Sequence, residues 1–526
     1  MPPHEHHLPD REHLKAGGKR GIMHVVFGRT TVVILLLLLQ IFVLCALMIR
    51  FGQYIPYYLG GTLVCTTVML VYVLNTVENP TIKLSWAILF AVVPAFAIPL
   101  YFYIRTDLGH RVEQARILAS IEHSKAHISD QKELTQQISR EDRGLSNLLH
   151  YIRSNGGYIP YQNTDVTYFP QGEDKFAEML VQLETAEKFI FLEYFHIGES
   201  EMWNEILEIL VRKVMQGVEV RVMYDGTSTV MSLPYNYPKQ LRAMGIQCKV
   251  FSPLRPLVST SYNNRDHRKI LVIDGHTAFT GGVNLLDRYI NREELYGHWK
   301  DAAVMIQGEA VRGFTLMFLQ MWNHTERTPV YEPYLHAPLP PRSAPGYVIP
   351  YGDNPMDAEN VGEMVYLDIL NQAHDYVYIM TPYLILDNEM LTALTFAAKR
   401  GVDVRILLPH VPDKQYAFLL AKSHYKQLLS AGVKIYEYTP GFVHSKVFLS
   451  DDRHGVVGTI NLDYRSLYLH FECAAYLYKV PALQDIRRDF ESTLSKSQAI
   501  TLSDVKKQKL RTKLAAALLK VAAPLM

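Results

Sequence analysis

Two stretches of the chain carry the same arrangement: a histidine, a lysine two residues on and an aspartate seven residues on. They are His267, Lys269 and Asp274, then His444, Lys446 and Asp451. Imidazole is a nucleophile and proton carrier near neutral pH, and an ammonium group neutralises phosphate oxygens. Two such pairs suit phosphoryl transfer in two steps, in which one histidine attacks phosphorus and becomes covalently modified while the other protonates the leaving oxygen. Fixed cations stabilise the developing charge, so this chemistry calls for no metal and no organic cofactor. One copy of so short a pattern says little. Two copies in register, each followed by a glycine-containing stretch and an asparagine at the same distance, say a great deal.

Those stretches are Gly281-Gly282-Val283-Asn284 and Gly458-Thr459-Ile460-Asn461. Small residues let the backbone approach a phosphate, and the amides of Asn284 and Asn461 can donate to its oxygens. A nucleophilic imidazole also needs a partner on its second nitrogen to fix the tautomer. Asp301 and Glu472, at comparable distances past their histidines, are the candidates. Asp274 and Asp451 belong to the candidate catalytic set as members of the motif. Yet a separation of seven residues spans several strand steps, too far for contact, so holding a turn or pairing with a basic residue is the role the spacing favours. Glu193 and Tyr383 divide evenly between pocket lining and ordinary packing.

On a strand, residues two apart share a face, so each motif presents an imidazole beside an ammonium. The apolar runs 270–273 and 447–449 supply the strands. They close two halves that repeat one another. Phe189-Ile190-Phe191-Leu192-Glu193-Tyr194 is matched by Tyr376-Val377-Tyr378-Ile379-Met380, and the helices that follow end at Gly217 and Gly401, each leading straight into another apolar strand. Leu241-Arg242-Ala243-Met244-Gly245 is echoed by Leu428-Leu429-Ser430-Ala431-Gly432. Strands alternating with helices predict an α/β fold of two tandem, pseudo-symmetric α/β/α sandwich halves, residues 158–337 and 346–500, each sheet covered on both faces. Proline-rich residues 338–345 mark the boundary, and the first half carries an insertion, 253–264, that would sit beside its histidine.

The front of the chain differs in kind. Residues 1–29 form a polar tail in which His4, His6 and His7 cluster, a composition that favours disorder over metal binding. Residues 30–104 read as a membrane region of two or three apolar helices. The runs 30–49, 55–74 and 84–104 are uncharged, and about 20 helical residues cross roughly 30 Å of hydrocarbon. Pro94 and Pro99 interrupt the third run, which therefore either spans or dips into the bilayer and returns. Residues 105–157 read as a helical connector. At the other end, residues 501–526 read as a basic amphipathic helix in which Lys506, Lys507, Lys509, Arg511, Lys513 and Lys520 interleave with Leu510, Leu514, Leu518 and Leu519, suited to an anionic lipid surface. With 53 basic and 52 acidic residues the chain lacks the positive excess of a protein that neutralises nucleic acid. Its four cysteines are too few for a disulfide framework and suit a reducing compartment.

The segments Asn263-Asn264-Arg265-Asp266-His267-Arg268-Lys269, Thr280-Gly281-Gly282-Val283-Asn284, Gly441-Phe442-Val443-His444-Ser445-Lys446 and Asn461-Leu462-Asp463-Tyr464-Arg465-Ser466-Leu467 resemble the phospholipase D superfamily, in the form it takes in bacterial cardiolipin synthases. The resemblance covers most of the chain. It implies a membrane-bound transferase that condenses two phosphatidylglycerols into cardiolipin and glycerol, with one histidine phosphatidylated and the other acting as acid and then base. His267 is assigned as nucleophile and His444 as general acid, although the motifs are nearly symmetric. Hydrolysis of phospholipids, with water as acceptor, is the alternative. The partners implied are phosphatidylglycerol and anionic membrane lipids, at the plasma membrane, with the catalytic part on its cytoplasmic face. Two departures stand out: three candidate apolar helices where family members commonly have two, and His470 where many relatives have asparagine.

Overall fold

A computed structural model describes residues 38–43, 45–46, 55–105, 108–128, 131–253, 264–336, 339, 342–357 and 359–523. The polar tail, most of the run 30–49, most of the insertion 253–264 and much of the proline-rich boundary lie outside the described residues.

The first half is built on strands β1 (Thr164–Phe169), β2 (Phe189–Tyr194), β3 (Glu219–Asp225), β4 (Gln247–Phe251), β5 (Arg265–Asp266), β6 (Lys269–Ile273), β7 (Thr277–Gly281), β8 (His298–Lys300) and β9 (Ala303–Gly308). The second uses β10 (Tyr347–Asp353), β11 (Tyr376–Met380), β12 (Asp403–Pro409), β13 (Lys434–Tyr438), β14 (Gly441–Val443), β15 (Val447–Ser450), β16 (His454–Gly458), β17 (His470–Tyr478) and β18 (Ser497–Ile500). The first sheet runs β1-β9-β7-β6-β2-β3-β4, and the second runs β10-β17-β16-β15-β11-β12-β13, with β18 added at its edge. The duplication read in the sequence is therefore a duplication of topology, strand for strand. Both sheets are mixed: β2, β3 and β4 run parallel, whereas β6 pairs antiparallel with both β2 and β7.

Period-two alternation sorts each strand between two cores. In β2, Ile190 and Leu192 face outward onto Trp203, Ile206 and Leu210 of the helix Glu201–Met215. Phe189 and Phe191 face inward. There they share one central core with Val447 and Leu449 of the second half, sealed by Phe314 and Phe318 of the helix Val311–Asn323 and by Ile486 and Phe490 of the helix Ala482–Ser495. A third core covers the outer face of the second sheet. The order is thus helix, sheet, helix, sheet, helix, with both sheets buried on both faces. Gly217 and Gly401 adopt left-handed φ of 91° and 99° past the helices they end, a conformation open to glycine.

Two short strands leave their own half. β5, immediately before His267, pairs in parallel with β17 of the second half, and β14, immediately before His444, pairs in parallel with β8 of the first. His267 donates its backbone N–H to Phe471 at 2.9 Å, and His444 donates its own to Lys300 at 2.7 Å. Each motif therefore enters the site laced to the opposite half.

The helical connector is part of the body rather than a spacer. Leu134, Ile138, Leu145 and Leu148, from helices Lys132–Glu141 and Arg143–Tyr151, complete the outer core of the second half. The apolar front departs from the expected spans. The run 84–104 is two helices, Pro80–Val92 and Pro94–Arg105, because Pro94 has no N–H with which to continue the first. The run 55–74 is the helix Ile55–Leu74, of which the side chains from residue 60 onward are described. Among the described residues no helix is long and apolar enough to cross a membrane. These helices pack on one another through Met69, Val73, Trp86, Phe90 and Tyr101. The basic tail is likewise two helices, Leu502–Lys507 and Leu510–Ala522, interrupted where Gln508 turns extended at ψ 136°.

Candidate active site

A cavity of about 390 Å³ opens where the two halves meet, and His267, His444, Asn284 and Asn461 all line it. His267 precedes β6, and His444 stands between β14 and β15. Each is therefore held on a crossing segment, not on the apolar strand its motif begins. The two-residue spacing still brings the lysines close. Lys269 Nζ donates to the carbonyl of His267 at 2.7 Å, and Lys446 Nζ donates to the carbonyl of His444.

The orienting carboxylates are exchanged between halves. His267 Nδ1 lies 2.9 Å from both oxygens of Glu472, and His444 Nδ1 lies 2.7 Å from Asp301 Oδ2. The strand crossings cause this exchange, because β5 sets His267 beside the start of β17, and β14 sets His444 beside the end of β8. With Nδ1–H given to a carboxylate, Nε2 of each ring keeps its lone pair for substrate. Lys446 Nζ is also 3.0 Å from His444 Nδ1. That nitrogen has no lone pair left once it donates to Asp301, so the lysine's bond is the one to the carbonyl. Gly282 is required here: a Cβ on it would collide with the Asp301 carboxylate.

Burial dominates the electrostatics. It drives the His267 imidazole well below its usual pKa, with Lys269 and Lys446 pushing the same way. It drives His444 down to about 3, reinforced by Lys446 and opposed by Asp301. Lys269 falls to about 8 and Lys446 to about 7, again chiefly through burial. Burial would raise Asp301, but the charge and hydrogen bond of His444 outweigh it and hold the carboxyl at about 2. Two buried lysines and two imidazoles repel each other's protons, and Asp301 and Glu472 offset this only in part. A phosphodiester placed among them reverses the sign and favours the charged lysines and an imidazolium.

The remaining candidates divide. Asn284 Oδ1 accepts from the backbone N–H of His196 at 3.1 Å, while Asn461 Oδ1 is buried without a hydrogen-bond partner among the described residues. Asp274 and Asp451 are not in the cavity. Asp274 accepts from the backbone N–H groups of Glu187, Lys188 and Phe189 at 2.7 to 2.8 Å, and Asp451 accepts from those of His374, Asp375 and Tyr376 at 2.8 to 3.0 Å. Each occupies a left-handed hairpin turn, φ 53° and 54°, and clamps the start of the central strand. Their inclusion among the catalytic residues is corrected accordingly: the seven-residue step carries them to the far end of the strand. Glu193 is buried in an ion pair with Arg268 at 2.6 Å, whereas Tyr383 lines the cavity and donates to Asp413 at 2.6 Å.

Several lining residues escaped the sequence analysis. Phe195 stacks edge-on against His267 at 4.7 Å between ring centroids, and Tyr289 and Trp299 stand 5.4 and 5.1 Å from His444. Arg288 and Arg465 both line the cavity. Each follows its Asn by four residues, a second in-register repeat that the sequence offered. His470 is buried 5.4 Å from His267, and its Nδ1 lies 3.6 Å from Glu472 Oε1. His267, His470 and Glu472 together are the one group among the described residues whose donor atoms, within 4.8 Å of one another, could hold a metal ion. An ion there would compete with the His267–Glu472 hydrogen bond.

A family model described as cardiolipin synthase, PLD-like domain, matches residues 179–322 and 366–494, one segment in each half. A protein of Streptococcus mutans described as uncharacterized is 52% identical, covering 86% of this chain and 99% of that one. A cardiolipin synthase of Alkalihalophilus pseudofirmus is 34% identical, covering 81% of this chain and 85% of that one. Among solved structures, a phosphatidylserine synthase of Haemophilus influenzae superposes with a TM-score of 0.56 at 15% identity, over 73% of this chain and 98% of that one, a likeness of fold.

Proposed function

The chain belongs to the cardiolipin synthase family of phospholipase D-like proteins, and from that premise we propose that it condenses two phosphatidylglycerols into cardiolipin and glycerol. It is a phosphatidyltransferase. His267 Nε2 attacks the phosphorus of the first lipid, the bond from phosphorus to the glycerol headgroup breaks, and His444, taken up as imidazolium with the bound phosphodiester beside it, gives its Nε2 proton to the departing glycerol oxygen. The phosphatidyl group is then carried on His267. The terminal hydroxyl of the second phosphatidylglycerol loses its proton to His444 and attacks the same phosphorus, and the phosphorus–nitrogen bond breaks with its electron pair returning to His267. Lys269, Lys446, Asn284 and Asn461 hold the non-bridging oxygens. Asp301 and Glu472 keep each ring in the tautomer that its step needs. The observation that carries this reading is that both motif histidines line one cavity, each on a carboxylate of the other half.

The acceptor in this reading is a lipid, and the exposed apolar surfaces support that. Leu63, Val64, Val68, Val71 and Leu74 are exposed on the front helices, and Leu510, Leu514 and Leu518 repeat every fourth residue along the last helix. Ala523, just beyond that helix, lines the cavity. These apolar surfaces support a reading in which a bilayer covers the mouth of the cavity, with the front region as the anchor and the cytoplasmic face of the plasma membrane as the site.

Purified protein incubated with phosphatidylglycerol vesicles tests the function. Cardiolipin and glycerol in equal amounts are expected. Phosphatidic acid as the main product would establish the hydrolase instead, and no turnover would refute both.

A further inference from the structure

Arg288 carries a charge that the two transfer steps leave unused. Its guanidinium is partly buried, meets Nδ1 of His196 at 3.3 Å and lies 5.3 Å over the ring of Tyr289. Its Nε is buried without a partner, and no carboxylate among the described residues forms an ion pair with it. His196 is itself tied to Ser232 Oγ at 3.1 Å, which fixes the ring against the arginine. Withdrawing a guanidinium from water without an anion is unfavourable, and its planar fork of N–H donors matches phosphate oxygens. The group is poised for an anion that the protein does not supply.

Its position says which anion. The Tyr289 ring beneath Arg288 stands 5.4 Å from His444, so the arginine lies on the flank of the general acid. On that flank glycerol departs and the second lipid's hydroxyl arrives. The second lipid brings a phosphodiester of its own, separated from the attacking hydroxyl by the length of one glycerol. The phosphate being transferred is held by the motif lysines, and the arriving phosphate has no partner among the residues assigned so far.

We propose that Arg288, backed by His196, forms a subsite for the phosphodiester of the acceptor lipid, and that this subsite selects a phospholipid acceptor over a neutral alcohol or water. The inference rests on the transferase reading. Pseudo-symmetry supplies an internal control. Arg465 follows Asn461 as Arg288 follows Asn284, and it too lines the cavity and pairs with no carboxylate among the described residues. Arg465, however, sits on the short helix Tyr464–Tyr468 that leads into His470, whose ring is 5.4 Å from that of His267, so it belongs to the nucleophile's flank, where the reaction places no second phosphate.

Glycerol provides a probe that lacks the second phosphate. Because it leaves in the first step, labelled glycerol must return to phosphatidylglycerol through the same transition state. The readout is the ratio of cardiolipin formation to labelled-glycerol exchange, measured with the full-length protein in phosphatidylglycerol vesicles. Arg288→Gln should lower this ratio by about tenfold or more, mainly through KM for the acceptor lipid, and Arg288→Lys should restore part of it. Arg465→Gln should leave the ratio within about twofold of wild type. A ratio unchanged in Arg288→Gln, or an equal or larger fall in Arg465→Gln, overturns the assignment. Wild-type protein that performs neither reaction would refute the transferase reading itself.

Discussion

Nδ1 of His267 lies 2.9 Å from both carboxylate oxygens of Glu472, a residue 205 positions away in the other half of the chain. The reciprocal bond joins His444 to Asp301. Neither half holds a complete catalytic histidine, so the repeat works only as a pair.

Each carboxylate can be altered without touching the histidine it orients. Glu472→Gln should impair the attack by His267, and Asp301→Asn should impair proton transfer by His444, each by on the order of 10²- to 10⁴-fold in kcat, as for other oriented histidines. Single-turnover glycerol release reports the first step, in which His267 attacks and His444 gives up its proton, so both variants should slow it. Losses below about threefold in either variant would mean that the carboxylates do not set the tautomers.

The motif aspartates should behave as structural residues. Asp274→Ala leaves three backbone N–H groups without their acceptor and should lower unfolding stability by about 1–3 kcal/mol, measured by denaturant titration. The activity of the folded fraction should stay within about threefold of wild type. A folded variant with no activity would return Asp274 to the catalytic set.

Activity and stability should respond to alkali in opposite senses. Lys269 and Lys446 are depressed by burial to about 8 and about 7, against 10.5 for a free lysine. The charged lysines bind phosphate, so kcat/KM should fall as pH rises through 7 to 8. The unfolded chain binds more protons than the folded one between those values and 10.5, so the lysine contribution to stability rises across that window, is complete above 10.5 and is lost as pH falls through 8 and 7. Thermal melts of the lipid-free protein from pH 6 to 9, beside a kcat/KM profile, test both signs. Parallel trends would contradict the account.

Gly282 faces Asp301 so closely that alanine cannot fit without moving the carboxylate. Gly282→Ala should therefore lose most of its transfer activity while circular dichroism stays that of wild type. Full activity would show that the carboxylate can shift freely.

Much of this was legible in the sequence. The paired motifs, the repeated strands and the identity of both orienting carboxylates follow from residue type, spacing and duplication, which local geometry transmits faithfully. Their exchange was not legible. It depends on β5 and β14, strands of two and three residues that pair across halves, and so short a strand has no periodicity of its own. The break in the apolar run 84–104 was legible, because Pro94 lacks the N–H that would continue the helix Pro80–Val92 and a second helix starts there. Arg288 could have been found by extending the Asn284 and Asn461 alignment by four residues.

The central claim is a phosphatidyl group carried on His267. Mass spectrometry of the His444→Ala variant, quenched after long incubation with phosphatidylglycerol, reads it out, because the variant forms the adduct slowly but lacks the base that passes it to the acceptor. A phosphatidyl adduct is expected on the peptide containing His267 and none in His267→Ala. An adduct on His444 in the His267→Ala variant, with none on His267 in the other, would contradict it.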